Sequence, residues 1–332
     1  MFQTWSLLRE SKHPMANNNE QRPSAEWWKG AVIYQIYPRS FRDSNGDGIG
    51  DLNGIIEKMD YVASLGVDAL WVSPFFKSPM KDFGYDVADY RDVDPMFGSL
   101  RDCDRLIEEA HKHGLKVIFD LVLSHTSDRH EWFEESRQNR DNDKADWYVW
   151  ADAKPDGGPP TNWQSFFGGP SWSYDVRRGQ YYMHNFLPEQ PDLNFHNPAV
   201  QEAALAVFRF WLDRGVDGFR LDVANCYAHD RELRDNPVSE NPEPQFFNIA
   251  FPTPFTMQDH IYDFSRPESL SFVERIRALM DEYDDRMAVA EIAFNKDCTG
   301  VAVDYTDGNQ RLHTAYNFTL ISGDKASASY VR

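Results

Sequence analysis

The chain has 332 residues, with 34 Lys and Arg against 53 Asp and Glu, for a net charge of -19. That length holds one large domain or two to three ordinary ones. The acidic balance argues against a nucleic-acid partner, the 41% hydrophobic content excludes a disordered chain, and no apolar run approaches the roughly eighteen residues of a membrane span.

Residues 1–25 carry Arg9, Glu10, Lys12 and the polar run Asn17-Asn18-Asn19-Glu20, and contain no apolar stretch of signal-peptide length. They read as an unstructured extension, with Met15 as an alternative start. A first strand is expected over Ala31–Tyr37. Next come Asp43, Asn45, Asp47, Ile49 and Asp51, alternating with Ser44, Gly46, Gly48 and Gly50. Alternate oxygen donors with interleaved glycines suit a hard divalent cation, although no Glu stands at the twelfth position; a metal-free loop of Asx-turns is the alternative.

From residue 54 onward one unit recurs: an amphipathic helix, a glycine stop and a short apolar strand. Residues 54–65 place Ile55, Met59 and Val62 on one face, stop at Gly66 and lead into Val67–Val72. Residues 100–113 repeat the pattern before Gly114 and Lys116–Asp120. Asn197 can cap a helix with Pro198 at its first position, running to Gly215 and then Gly218–Asp222. A helix near 268–283 precedes Met287–Ile292, and Leu312–Phe318 reads as a sixth strand. Strands alternating with helical crossovers mean a parallel sheet, here a (β/α)8 TIM-type barrel with about six strands present.

The interval from Gly114 to Gly215 is twice that from Gly66 to Gly114. Roughly fifty extra residues therefore follow strand three, enough for a small inserted subdomain. The stretch 124–192 contains Trp132, Trp147, Trp150, Trp163 and Trp172, half of the 10 tryptophans, and is expected to set aromatic rings beside one end of the barrel. The expected divisions are an extension at 1–25, a first barrel part at 26–123, the insertion at 124–192 and a second barrel part at 193–332. Cys103, Cys226 and Cys298 are odd in number without metal-type spacing. No disulfide framework is expected, and a cytoplasmic location follows.

Ligand chemistry in a parallel barrel gathers at the C-terminal strand ends. Charged and polar groups recur there: Asp82, Tyr85 and Asp86 after strand two, Asp120 and His125 at strand three, Arg220 and Asp222 at strand four, and Glu291 at strand five. Each alone also reads as a cap or loop residue, and Arg220 with either carboxylate as a structural ion pair. Together they suggest a polar cavity in which two carboxylates cleave a glycosidic bond. Arg220, two residues before Asp222 on the same strand face, is expected to keep that carboxylate ionised as the nucleophile. The apolar run before Glu291 is expected to raise its pKa towards an acid's role.

These residues resemble the alpha-amylase family of glycoside hydrolases, in its alpha-glucosidase and oligo-1,6-glucosidase branch. The motifs are Val32–Pro38, Asp120–His125, Gly218–Asp222 and Ala290-Glu291-Ile292, with Gln190-Pro191-Asp192-Leu193-Asn194 as the branch marker. The resemblance implies an exo-acting retaining alpha-glucosidase with Asp222 as nucleophile and Glu291 as acid/base. It implies that Asp82, Tyr85, His125, Phe167, Phe186, Gln190 and Arg220 surround the non-reducing glucose, and that Asp43–Asp51 hold a structural Ca²⁺ or Mg²⁺ remote from the chemistry. Val223 is of the type found in members cleaving α-1,6 linkages. The implied partners are small oligosaccharides or α-glucosides such as maltose, isomaltose or sucrose, with transglucosylation open, and no nucleic acid or membrane. The chain is expected to be a monomer or weak homodimer. The family's third carboxylate, in a His-Asp pair on strand seven, has no counterpart after Glu291. The chain is therefore expected to be the N-terminal portion of a longer enzyme. An inactive truncated product or a non-catalytic sugar- or protein-binding homologue is the alternative.

Overall fold

A computed structural model describes residues 26–242, 251–293 and 297–316. The extension expected at 1–25 and the last two residues of the sixth expected strand lie outside them. Six strands form one parallel sheet: β1 (Ile33–Ile36), β2 (Ala69–Val72), β3 (Lys116–Leu121), β4 (Gly218–Leu221), β5 (Met287–Ala290) and β6 (Thr314–Ala315). Each strand pairs with its neighbour in sequence, in the order β1-β2-β3-β4-β5-β6. This is an open (β/α) barrel, as the repeating unit predicts.

The local causes of the helices are visible. Ser99 and Asp102 form a reciprocal capping box on the helix Leu100–Lys112. Asn197 accepts from the Ala199 N–H, and Pro198 opens the helix Pro198–Leu212. Gly66, Gly114 and Gly215 adopt φ of 73°, 73° and 98°, the left-handed stop that lets each helix turn back into a strand. The expected helix at 54–65 is instead two short helices, Leu52–Glu57 and Met59–Ser64, broken at Lys58. Ile55, Met59 and Val62 remain buried across the break, so the apolar stripe survives it.

The helices bury aromatic and aliphatic side chains against the outside of the sheet. Trp211 is fully buried, stacks on Phe76 with centroids 5.0 Å apart, and donates its indole N–H to the Tyr90 carbonyl at 2.9 Å. Burial of such a ring together with its stacking contributes on the order of 3 kcal/mol. At the N-terminal end of the sheet, Asp217 is buried among His111, Lys116 and Arg286.

Among the described residues, a short antiparallel hairpin of Phe76–Lys77 with Asp89–Val93 follows β2, and two longer excursions leave the barrel. After β3 the chain builds an antiparallel sheet of Trp150–Ala151, Gln180–Met183 and Trp172–Asp175, with Gln180–Met183 in the middle. Two of the insertion's tryptophans, Trp163 and Trp172, are buried in its own core rather than open to a pocket. Trp163 and Trp172 stack with centroids 5.9 Å apart inside a core with Val149 and Met183. Trp150 stacks on Phe133. A subdomain this small needs large rings to exclude water from its own centre. The second excursion, described over residues 224–242 and 251–267, carries no signal in the sequence. Asn162 and Asn236 lock it to the insertion: Asn162 Nδ2 donates to the Asn236 carbonyl, and the Asn236 N–H donates to Asn162 Oδ1, both at 2.8 Å.

Candidate active site

Neighbouring parallel strands end at the same level, so residues just past β3, β4 and β5 converge. The Asp222 N–H donates to the Leu121 carbonyl at 3.0 Å, and the Glu291 N–H to the Leu221 carbonyl at 2.9 Å. The ladder thus continues one step beyond the strands and fixes both backbones. Arg220, on β4 and 5% exposed, lies between the side chains. Its Nη1 donates to Asp120 Oδ1 at 2.7 Å and to Asp222 Oδ1 at 2.5 Å, while its Nη2 donates to Glu291 Oε2. One guanidinium therefore serves three carboxyl groups. Its cation also faces the rings of Trp71 and Tyr85 at 5.5 and 5.7 Å.

This sharing changes the electrostatics expected from sequence. Burial pushes the Asp222 carboxyl up to about 6; Arg220 opposes that, and the charge of Asp120 adds to it. The expectation that Arg220 simply holds Asp222 ionised overlooks this competition for a single cation. Burial pushes Glu291 up to about 7, with Arg220 and the Val223 N–H opposing and Asp222 adding to the rise. The higher value at Glu291 agrees with the expectation of a proton-holding group there. Asp120, also raised by burial, accepts from the Trp71 indole N–H at 3.2 Å and from the Tyr85 hydroxyl at 3.4 Å. Asp120 and Trp71 join the constellation beyond the residues expected at the site; Asp120 is visible in the sequence only as a strand-end carboxylate.

A second group adjoins the first through Tyr85. His125, fully buried, brings its Nε2 to 3.1 Å from both the Tyr85 carbonyl and Gln190 Nε2, with Ser124 Oγ 2.9 Å from its Nδ1. With the proton on Nε2 the ring donates to Tyr85; in the other tautomer it accepts from the Gln190 amide. Burial lowers the imidazole to about 4, so it is neutral near pH 7. Gln190 donates to Asp82 Oδ2 at 2.9 Å, joining the loop after β2 to the end of the insertion. Asp86, fully buried, shapes that loop by accepting from the N–H groups of Lys81 and Asp82 and from the Ser78 hydroxyl. Phe186 packs on His125 at 5.1 Å, and Phe167, 52% exposed, stands 5.8 Å from Phe186. The two carboxylates expected to be catalytic and the seven residues expected around the sugar thus fall into two adjoining clusters, with Phe167 at the outer rim.

The arrangement combines a carboxyl group able to ionise, a neighbour that retains its proton to higher pH, a fixed cation, a neutral imidazole, amide donors and aromatic surfaces. That set can attack a carbon centre, protonate a leaving oxygen and hold hydroxyl groups.

The loop 43–51 is held largely by its own hydrogen bonds. Asp43 accepts from the N–H groups of Asn45, Gly46 and Gly48, Asn45 from that of Asp47, and Asp47 from that of Ile49. Asp51 caps the helix Leu52–Glu57 through the Gly54 N–H at 2.7 Å and accepts from Ser44. The donors are hard oxygens of the kind a divalent cation prefers. Among the described residues, however, no three His, Cys, Asp or Glu side chains are grouped so as to hold a metal ion. Among the same residues no helix is long and apolar enough to cross a membrane.

Residues 35–331 match the alpha-amylase catalytic domain. A probable alpha-glucosidase of Rhizobium meliloti (strain 1021) is 58% identical over 309 residues, covering 93% of this chain and 56% of that protein. An oligo-1,6-glucosidase of Heyndrickxia coagulans is 45% identical over 306 residues, covering 92% and 52%. Among solved structures, the alpha-glucosyl transfer enzyme XgtA superposes with a TM-score of 0.88 at 57% identity, over 92% of this chain and 57% of its own. The chain spans about half the length of the curated relatives it matches. With a catalytic-domain match across nearly its whole length and this array of carboxylates at its strand ends, the chain belongs to the alpha-amylase family, in the alpha-glucosidase and oligo-1,6-glucosidase branch.

Proposed function

We propose that the protein is an exo-acting, retaining alpha-glucosidase that hydrolyses terminal alpha-glucosidic bonds of small oligosaccharides. The observation that carries this reading is the Arg220 guanidinium bonded to both Asp222 and Glu291, which keeps the two carboxyl groups within one sugar's reach. An Asp222 oxygen attacks the anomeric carbon as the bond from that carbon to the glycosidic oxygen breaks. The Glu291 proton passes to the departing oxygen. Water, deprotonated by the Glu291 carboxylate, then cleaves the glucosyl ester with net retention. The upward displacement of Glu291 to about 7 supports its starting as the acid.

Asp82, Tyr85, His125, Phe186 and Gln190 are assigned to the glucose on the non-reducing side. The Asp82–Gln190 hydrogen bond closes that side of the cluster, which favours exo-action. Phe167, exposed at the rim, is assigned a stacking role. Val223, directly after Asp222, supports activity on α-1,6 as well as α-1,4 linkages, so isomaltose and maltose are expected substrates, with sucrose and glucosyl transfer as related reactions. Asp43, Asn45, Asp47, Ile49 and Asp51 are assigned a structural Ca²⁺ or Mg²⁺ on donor chemistry alone, and the protein is placed in the cytoplasm as a monomer or weak homodimer.

Hydrolysis of p-nitrophenyl α-glucoside by the enzyme at its natural length, compared with Asp222→Asn, tests the reading. Loss of at least a thousandfold in kcat/KM is expected, on the order of what an essential nucleophile contributes; undiminished turnover in the variant removes Asp222 from the role.

A further inference from the structure

We infer that Asn225 is a positioning residue that holds the turn after Asp222 in the shape that aims the Glu291 carboxyl at the leaving-group oxygen; this rests on the acid/base reading of Glu291 above. The starting observation is backbone strain. Val223, a β-branched residue, sits at φ 34° and ψ 55°, in the left-handed region. Such a conformation costs on the order of 1–3 kcal/mol and persists only where its surroundings impose it.

The strained turn presents successive N–H groups to Glu291. The Val223 N–H donates to Glu291 Oε2 at 3.1 Å, and the Ala224 N–H donates to the Glu291 carbonyl at 2.9 Å. One residue further on, the Asn225 side chain completes the connection. Its Nδ2 donates to the Ala293 carbonyl at 2.7 Å, and its Oδ1 accepts from the Ala293 N–H at 3.2 Å. The second Nδ2 hydrogen goes to Ser265 Oγ at 3.0 Å, while the Ser265 N–H donates to the Asn225 carbonyl at 2.8 Å. Asn225 is fully buried, and both amide hydrogens and the amide oxygen are engaged. The amide thus supplies one more rung between the β4 and β5 segments at a point where the backbones have stopped pairing.

Glu291 is held from two sides. Arg220 binds its Oε2 from one, and the Val223 N–H binds the same oxygen from the other. Without Asn225 the turn is free to relax towards an unstrained φ, the Val223 N–H turns away, and Arg220 alone sets the carboxyl position. Asp222 keeps its own anchors, the Arg220 Nη1 contact and the N–H bond to Leu121. Loss of Asn225 therefore impairs proton delivery to the departing oxygen while leaving attack at the anomeric carbon intact.

Leaving groups separate these two effects. Isomaltose expels an alkoxide-type oxygen that must be protonated as the bond breaks, whereas α-glucosyl fluoride expels fluoride with little proton assistance. In Asn225→Ala, kcat/KM for isomaltose is expected to fall ten- to a hundredfold, on the order of the cost of a misplaced general acid. That for α-glucosyl fluoride is expected to fall by less than about threefold, since nucleophilic attack needs no proton transfer. The ratio of the two, measured on one preparation, does not depend on the folded fraction, and Asn225→Ser serves if the alanine variant yields no soluble protein. Equal losses on both substrates overturn the inference and leave Asn225 a purely structural residue. A parent enzyme inert towards both substrates instead contradicts the glucosidase reading itself.

Discussion

Replacing Asp120 by Asn removes one of the three carboxyl groups that share Arg220, and with it the negative charge nearest Asp222. Asp120 and Asp222 both accept from Arg220 Nη1, at 2.7 and 2.5 Å, so their oxygens stand no more than about 5 Å apart. Two unit charges at that separation repel by about 3 kcal/mol at an effective dielectric near 20, equivalent to about two pKa units. Partial neutralisation by Arg220 reduces this, and a shift of roughly one to two units is expected at Asp222. Removing a nearby negative charge favours ionisation, so the pKa falls. The acid limb of kcat/KM for p-nitrophenyl α-glucoside, governed by the carboxyl raised to about 6, should move to lower pH. The basic limb, governed by Glu291 near 7, should move the same way by less, because Glu291 bonds through the other guanidinium nitrogen. Both limbs report the coupled cluster as a whole. An unchanged profile, or an acid limb moved to higher pH, refutes the shared-cation account.

Gln190→Leu removes the amide joining Asp82 to His125. It should raise KM for isomaltose on the order of tenfold, the loss of about one hydrogen bond to a charged group, with a smaller effect on Tm. Asp217→Ala leaves Lys116 and Arg286 facing a vacated buried site. It should cost about 3 kcal/mol or more in urea unfolding, without moving the pH profile, because Asp217 lies at the far end of the sheet from Glu291.

The fold is legible wherever a local signal and a long-range pattern agree. Asn197 with Pro198 marks a helix start by backbone chemistry alone, and Gly114 marks a stop because few other residues accept its φ. Lys58 carries no such signal: the break between the two short helices leaves the apolar stripe intact, so periodicity reads across it. The hairpin of Phe76–Lys77 with Asp89–Val93 is likewise silent because one of its strands is only two residues long, and the described residues 224–242 and 251–267 are silent because tertiary partners such as Asn162 hold them. Within the site, Arg220, Asp222 and Glu291 are readable as strand-end charges. Their competition for one guanidinium is not readable, because it depends on Asp120 arriving from the adjacent strand at the same level. The tryptophans of the insertion mislead for a related reason. Clustering in sequence is common to a pocket wall and a miniature core, and only packing distinguishes Trp163, fully buried, from a ring open to sugar.

Retention through Asp222 as nucleophile requires a covalent glucosyl ester on its carboxylate. Incubation with 5-fluoro-α-glucosyl fluoride, followed by digestion and mass spectrometry, tests it most directly. A single fluoroglucosyl adduct is expected on the peptide containing Gly218–Asp222, with fragmentation placing it at Asp222. An adduct on another residue, or active enzyme that releases β-glucose without forming any adduct, contradicts it.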